Sequence, residues 1–414
     1  MNNKNIKSVS FGCRLNALES EKIKNMLNSY VNSAVIINTC AVTAEAERQS
    51  GQSVRRIARE NPNVQLFVTG CAATRNPDLF RNIPNTTVIH NAKKMQIDAY
   101  LSGNTALPDM EIKNIPNTDT KLSKQFVQIQ NGCNHNCAYC ITRALRGPAV
   151  SFEYADILVD VRDAVRNGFY EIVLTGVDIA SYVKKDGDTV MLLSDLCKKL
   201  LNDVPEIQRL RLSSVDPAVP DIKNIIELIK SEPRMMPHMH FSMQSGSNAI
   251  LKSMGRRHNA DMVRELVALA NGKITFSWDI ICGFPGETDE DFEDTISVMK
   301  RTEYLQIFGF IYSKRKGTPA EKMFDPVDMK TKKERLNRLL EVKNEIIDRK
   351  SAEMLGKTYE VLAESYDEKN NILYGSLDSG KTITFSGTKA CVGEFVDVKV
   401  VDVTGEGADQ GGSH

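Results

Sequence analysis

Short apolar runs alternate with amphipathic stretches from the first residues onward. Ser8–Phe11 (within a strand-like Ile6–Phe11), Ala34–Asn38 and Asn63–Thr69 read as strands, and the spacing predicts helices over Ala17–Ser29, Ala44–Glu60 and Met95–Leu101. That order predicts a doubly wound α/β domain over residues 1–105 with a mainly parallel sheet. The stretch 102–120 is polar and holds two prolines, so a linker is expected across 106–122. A second alternating series then offers six strands: Phe126–Gln130, Glu171–Thr175, Arg209–Ser213, His238–Met243, Ile274–Ile281 and Gln306–Tyr312. Helical patterns such as Asp156–Asn167, Asp221–Ser231 and Asp289–Arg301 fall between them, which predicts a partial (β/α)6 barrel over 123–353. Lys330–Lys350 reads as a charged helix with a solvated basic face. The pattern then shifts to period two: Tyr359–Ala363, Ile372–Leu377, Ile383–Ser386 and Phe395–Val403 predict a small OB-like β-barrel over 354–405. Residues 406–414, rich in glycine and polar groups, are expected to be disordered.

Composition narrows this only a little. The 414 residues are 41% hydrophobic and 26% charged, with zero formal net charge, as in an ordinary soluble protein. No run of about 18 apolar residues is present, so no spanning helix and no membrane partner are expected. Met1–Lys7 lacks the apolar core of a signal peptide, which predicts a cytoplasmic, reducing location. There, nine cysteines favour metal or redox chemistry over disulfides. Zero net charge gives no bulk support for a nucleic-acid partner, so any such site must be a local basic patch.

The chemistry concentrates in Cys133, Cys137 and Cys140, three thiols in eight residues just after the first strand of the second series. Three thiolates can hold three irons of a [4Fe–4S] cubane and leave the fourth iron open to a small molecule, whereas four would close it. A zinc site using His135 is the rival reading. Upstream, Cys13, Cys40 and Cys71 each stand just after a predicted strand. In open α/β sheets those strand ends share one edge, so three cysteines remote in sequence are expected to converge. Cys197, Cys282 and Cys391 lack partners at ligand spacing and read as structural thiols, and His238 and His240 as ordinary strand residues rather than a metal pair.

A CxxxCxxC loop at the end of the first strand of a βα series, with Tyr139 before its last cysteine, resembles the signature of radical SAM enzymes. There the open iron chelates S-adenosylmethionine and one electron yields a 5′-deoxyadenosyl radical. Polar strand ends around the presumed mouth supply further candidates for SAM contact: Thr175, Gly176 and Asp178, Ser214 and Asp216, Gln244, and Gly283, beside Tyr139.

Across nearly its whole length the chain resembles the radical SAM methylthiotransferases. The likeness runs through Gly12-Cys13-Arg14-Leu15-Asn16 with Glu19-Ser20-Glu21, Asn38-Thr39-Cys40-Ala41-Val42-Thr43, Val68-Thr69-Gly70-Cys71-Ala72, the Cys133 triad, Gly283-Phe284-Pro285-Gly286-Glu287-Thr288, and Tyr312-Ser313 with Arg315 and Gly317-Thr318. The resemblance implies an N-terminal methylthiotransferase domain, a radical SAM barrel and a C-terminal RNA-binding TRAM domain. It implies two [4Fe–4S] clusters, one on Cys133, Cys137 and Cys140 that cleaves SAM, and an auxiliary one on Cys13, Cys40 and Cys71 that carries sulfur. It further implies two SAM molecules per product, one to methylate the sulfur and one to make the radical.

Cys40-Ala41-Val42-Thr43 followed by Ala44-Glu45-Ala46-Glu47-Arg48, with Arg55-Arg56, resembles the branch acting at C2 of N6-threonylcarbamoyladenosine beside the tRNA anticodon. The branches acting on isopentenyladenosine or a ribosomal-protein aspartate usually carry Ser-Val-Arg or Gly-Phe-Ile after this cysteine. A non-catalytic metal-containing RNA-binding protein is the remaining alternative. After Cys140 the family's usual Ile-Ile-Pro and Ser-Arg are missing, although Arg146-Gly147 stands. The expected partners are the tRNA anticodon stem-loop and an electron donor such as flavodoxin or ferredoxin. Arg143, Arg146, Arg256, Lys314 and Arg315 are the leading RNA contacts, with Arg55, Arg56, Arg59, Arg257 and Lys316 behind them. The C-terminal barrel would track and stack RNA.

Overall fold

The computed structural model describes residues 5–101, 112, 123–186, 189–302 and 304–403. The expected linker across 106–122, except for Ile112, and the expected disordered tail lie outside them. The chain divides into two compact units, and the segment Ile141–Pro148 clusters with the N-terminal one.

In the N-terminal unit, β1 (Asn5–Ser10), β2 (Ser33–Thr39), β3 (Leu66–Gly70) and β4 (Thr86–Val88) form a parallel sheet in sequential order. Every residue of β2 and β3 is buried, as a central strand covered on both faces requires. Alternate residues feed separate cores. Ala34, Ile36 and Phe67 pack with Ile23 and Leu27 of the Arg14–Leu27 helix. Val35, Ile37, Leu66 and Val68 pack with Val54 and Ile57 of the Ala44–Glu60 helix. That helix starts where the side chain of Thr43 accepts from the Ala46 amide at 3.1 Å. Ser10 pairs with Asn38, Asn38 with Thr69, and Thr39 with Gly70. The chain therefore leaves β1, β2 and β3 at one edge of the sheet, and Cys13, Cys40 and Cys71 follow there. The sequence pattern missed β4, which is only three residues long and partly buried.

In the second unit, β5 (Lys124–Gln128), β6 (Glu171–Thr175) and β7 (Arg209–Leu212) are parallel in chain order, as are β8 (His238–Gln244), β9 (Thr275–Cys282) and β10 (Tyr304–Ile311). Parallel bridges Leu210–Met235 and Val215–Phe241 join the two halves into the six-stranded partial barrel. Helices between the strands bury one stripe each against a core that includes Val127, Leu174, Leu210, Phe241 and Trp278. The 24-residue helix Met329–Ala352 packs on β10.

The chain ends in an antiparallel sheet of β11 (Thr358–Asp367), β12 (Ile372–Ser376), β13 (Thr382–Ser386) and β14 (Phe395–Lys399), ordered β13-β12-β11-β14. This sheet docks on the N-terminal ends of the barrel strands. Arg209 reaches Glu360 at 3.0 Å, Arg211 donates to the Asp378 carbonyl at 2.9 Å, and Phe395 stacks on Tyr170 with ring centroids 5.4 Å apart. At the centre of that base Glu171 is fully buried. Arg211 Nε donates to it at 2.6 Å, with Lys124 at 3.8 Å and Arg209 at 3.9 Å. The opposite end of the barrel, where Cys133 follows β5, is left for chemistry.

Candidate cluster and substrate site

The loop after β5 is held by its backbone. Ala138 N–H donates to the Met254 carbonyl at 2.8 Å, Ala320 N–H donates to the Ala138 carbonyl at 2.8 Å, and Cys140 N–H closes a turn on Cys137 at 3.0 Å. Around it, groups from successive strand ends meet. Asp178, after β6, accepts from His135 Nε2 at 2.6 Å and from the Ser181 hydroxyl, and lies 3.9 Å from Cys133 Sγ. Asp216, after β7, takes Arg256 Nη2 at 3.0 Å. The same guanidinium donates to the Ser242 carbonyl of β8 at 2.8 Å and to Cys137 Sγ at 3.2 Å. Burial pushes the Cys133 thiol up to about 11 and raises that of Cys137, so in the metal-free chain both are thiols. Burial works against the charge of Asp216, yet the His258 ring and Arg256 hold its carboxyl well below the usual range.

The expected SAM contacts fall into two groups. Tyr139, Thr175, Asp178, Asp216 and Gln244 are largely enclosed, whereas Ser214 is exposed. A Cβ on Gly176 would come within 2.8 Å of the Gln130 carbonyl, which accounts for glycine there. Gln244 holds φ +73°, a strained conformation for a non-glycine residue at the strand end. Gly283 donates its N–H to Glu287 at 2.7 Å and holds φ +71°. His135, the rival ligand, does join Cys133 and Asp178: their donor atoms lie within 4.8 Å of one another, close enough for a single ion. Cys137 and Cys140 stand outside that group.

At the edge of the N-terminal sheet, Asn16 Nδ2 donates to the carbonyls of Phe11 (2.9 Å) and Thr39 (3.2 Å), just upstream of Cys13 and Cys40. Ser50 Oγ accepts from the Cys40 amide at 3.2 Å, and Asn91 Nδ2 lies 3.8 Å from Cys71 Sγ. The strand ends thus bring Cys13, Cys40 and Cys71 to one edge.

Three of the five leading RNA candidates are not surface groups. Arg146 is 3% exposed and donates to Glu19 at 2.9 Å and to Asn16 at 2.6 Å. Arg256 is 6% exposed and committed to Asp216 and Cys137. Arg315 is 4% exposed. A phosphate cannot reach Arg146 or Arg256 without displacing these partners, nor Arg315 without uncovering it, so, against the expectation from sequence, none of the three is a surface RNA contact. Arg143 and Lys314 are exposed, as are Arg55, Arg56, Arg59, Arg257 and Lys316. Asn16 and Glu19 entered the sequence reading only as part of the family likeness, with no role given, and Lys94 and His258 did not enter it. A signal for the first two was present: Asn16, Glu19 and Ser20 share the buried stripe of their helix with Leu15, Ile23 and Leu27. A carboxylate on an apolar stripe calls for a buried cation.

Residues 127–299 match the radical SAM superfamily, residues 5–90 the uncharacterized protein family UPF0004, and residues 352–408 the TRAM domain. The structure of the radical S-adenosylmethionine methyltransferase TsrM from Kitasatospora setae shares the fold, with a TM-score of 0.52 at 12% identity over 77% of each chain. The chain is 40% identical over 334 residues to the threonylcarbamoyladenosine tRNA methylthiotransferase MtaB of Rickettsia prowazekii, covering 78% of this chain and 79% of that one. It is 33% identical to the MtaB of Thermotoga maritima, covering 98% and 96%. It is also 33% identical to a tRNA-2-methylthio-N(6)-dimethylallyladenosine synthase of Clostridium botulinum, covering 95% and 92%. The chain belongs to the radical SAM methylthiotransferases, as an MtaB-type member. It is accordingly an iron–sulfur transferase that modifies tRNA and binds RNA, and no helix among its described residues is long and apolar enough to cross a membrane.

The family's two clusters and SAM fit the residues present. Each site offers three thiols with no fourth cysteine at ligand spacing, the donor set of a cubane with one open iron. Gly12, at φ +83°, keeps clear a volume in which a Cβ would strike the Cys40 sulfur, and the Thr69 hydroxyl beside Cys71 is buried without a partner among the described residues.

Proposed function

We propose that this chain replaces the C2 hydrogen of N6-threonylcarbamoyladenosine-37, next to the tRNA anticodon, with a methylthio group. In this reading Cys133, Cys137 and Cys140 hold the cluster that cleaves SAM, and Cys13, Cys40 and Cys71 hold the auxiliary cluster. When bound, the first supplies the electron for cleavage and the second carries the sulfur.

The chain's own residues prepare the site. Arg256 neutralises Asp216 and fixes Cys137 with one guanidinium, so the β7 and β8 ends and the loop move as one body. Gln130 Oε1 accepts the amides of Val177 (3.1 Å) and Asp178 (2.9 Å), which shapes the turn after β6 beside Cys133. The enclosed strand ends keep water from a radical step. Exposed Arg55, Arg56 and Arg59 on the Ala44–Glu60 helix, with Lys314, Lys316 and the C-terminal sheet, supply surface for the tRNA backbone. A flavodoxin or ferredoxin in the cytoplasm would deliver the electron.

The observation that carries the substrate is the segment Cys40–Arg48 at the auxiliary strand end. Cys40 is buried, Val42 is 65% exposed, and Thr43 caps the helix that follows. The loop thus presents branch-specific residues beside the sulfur-carrying site. The 40% identity to a threonylcarbamoyladenosine-named relative supports the same reading. Relatives named for dimethylallyladenosine at 33% identity support the runner-up, the isopentenyladenosine substrate.

Mass spectrometry of nucleosides from a deletion strain decides between them. Loss of 2-methylthio-threonylcarbamoyladenosine with accumulation of its precursor is expected, restored by the wild-type gene. Loss of the isopentenyl product instead would assign the other substrate.

A further inference from the structure

Ile141–Pro148 follows the barrel's cysteine triad in sequence but belongs to the unit that carries Cys13, Cys40 and Cys71. The segment ties those three strand ends together. Ile141 and Leu145 pack in the same core as Cys71. Asn91 Nδ2 lies between the Leu145 carbonyl, at 3.1 Å, and Cys71 Sγ, at 3.8 Å. The next residue, Arg146, donates Nη2 to Asn16 Oδ1 at 2.6 Å. Asn16 in turn holds the carbonyls of Phe11 and Thr39. One guanidinium and two side-chain amides therefore reach the backbone just before Cys13 and Cys40 and the sulfur of Cys71.

The charges are as organised as the hydrogen bonds. Glu19 is 2% exposed and its carboxylate is shared by Arg146 at 2.9 Å and Lys94 at 2.5 Å. Two buried cations thus lean on one anion. Arg146 also lies in the field of Cys71 and Cys13. A cubane on three thiolates is anionic overall, and reduction makes it more so. In a buried site a fixed cation stabilises that charge strongly.

We propose that Arg146 is the positioning residue of the auxiliary cluster: its planar fork sets the cysteine loops through Asn16, and its charge raises the cluster's reduction potential. The proposal rests on reading Cys13, Cys40 and Cys71 as ligands. Lysine would keep the charge but not the fork, so the two effects separate.

The test uses the full chain with Cys133→Ala, Cys137→Ala and Cys140→Ala combined, so that only auxiliary iron is read. After anaerobic reconstitution, iron content, an EPR-monitored redox titration and the rate of iron release to a chelator are measured. Arg146→Gln should retain iron, show a lower midpoint potential and release iron several-fold faster. Arg146→Lys should keep the parental potential yet release iron as fast as Arg146→Gln. A glutamine variant with parental potential and release overturns the proposal. If that variant does not fold, Arg146→Lys decides: parental release or a lowered potential overturns it. A parent that binds no iron overturns the ligand reading itself, a distinct result from iron bound with no effect of Arg146.

Discussion

Glu171→Gln removes the one carboxylate at the centre of the barrel's base. Its partners are not hurt equally. Arg209 keeps Glu360 at 3.0 Å and Lys124 keeps Glu364 at 2.5 Å. Arg211 loses its 2.6 Å ion pair and is left with the carbonyls of Asp378 and Leu377. The cost is therefore that of one stranded buried guanidinium, about 3 kcal/mol, the lower end of the range for breaking a buried pair. With a urea slope of about 3 kcal/mol/M, the midpoint should fall by about 1 M. The reporter is Trp278, the chain's single tryptophan, fully buried in β9; it reads the second unit alone. Burial opposes the charge of Glu171, but Lys124 and Arg211 hold its pKa below the ordinary value. Its contribution is thus present above the unfolded carboxyl's pKa of about 4.3 and lost as pH falls through the lower folded value. The gap between wild type and variant should close in that acid window. A midpoint unchanged at neutral pH, or a gap that persists in acid, would refute the reasoning.

Four further outcomes are expected. Gly12→Ala places a methyl on the Cys40 sulfur at a positive φ and should remove auxiliary iron while SAM cleavage persists; full iron content in the variant would contradict the site. Cys137→Ala should abolish reductive SAM cleavage while about four of about eight irons remain, as counted by iron analysis; loss of all iron would deny that the clusters are independent. Cobalt(II) added to the metal-free chain should give a thiolate-to-metal absorption band that His135→Ala weakens and Cys140→Ala leaves, since among the described residues Cys133, His135 and Asp178 alone stand at single-ion spacing. Affinity for tRNA should fall steeply with salt, because a chain of zero net charge must concentrate its cations locally; a flat salt profile would defeat the patch.

Much of the fold was legible because parallel strands buried on both faces are near-continuous apolar runs. Glu171–Thr175 was read to the residue, and the other barrel strands to within a few positions. The shared sheet edge of Cys13, Cys40 and Cys71 was legible because strand-end position is a local property. What stayed hidden is pairing across the chain. Arg146 meets Glu19 from 127 positions away and Arg256 meets Cys137 from 119. Nothing near either arginine in sequence distinguishes a buried clasp from a solvated cation, so both were read as RNA contacts. The packing of Ile141–Pro148 was hidden for the same reason: the segment follows the barrel's triad in sequence, and only tertiary packing groups it with the N-terminal unit.

The histidines of β8 show how the barrel reconciles a packed fold with a usable interior. Thr275, Ser277 and Asp279 alternate on β9 opposite His238 and His240, so all five face one side of the paired strands. Their hydrogen bonds form a ladder. His238 bonds Thr275 and Ser277 at 2.9 Å each, His240 bonds Ser277 at 2.7 Å, and His240 Nε2 lies 3.1 Å from Asp279. Thr275 Oγ1 extends the ladder to the Ser379 carbonyl of the docked C-terminal sheet. Burial holds His238 well below its ordinary pKa, so that rung stays neutral across the physiological range. Every ring nitrogen has a partner, which is what a polar interior requires to be stable. The ladder runs as a polar row from the docked C-terminal sheet at Ser379 to Asp279 further along β9.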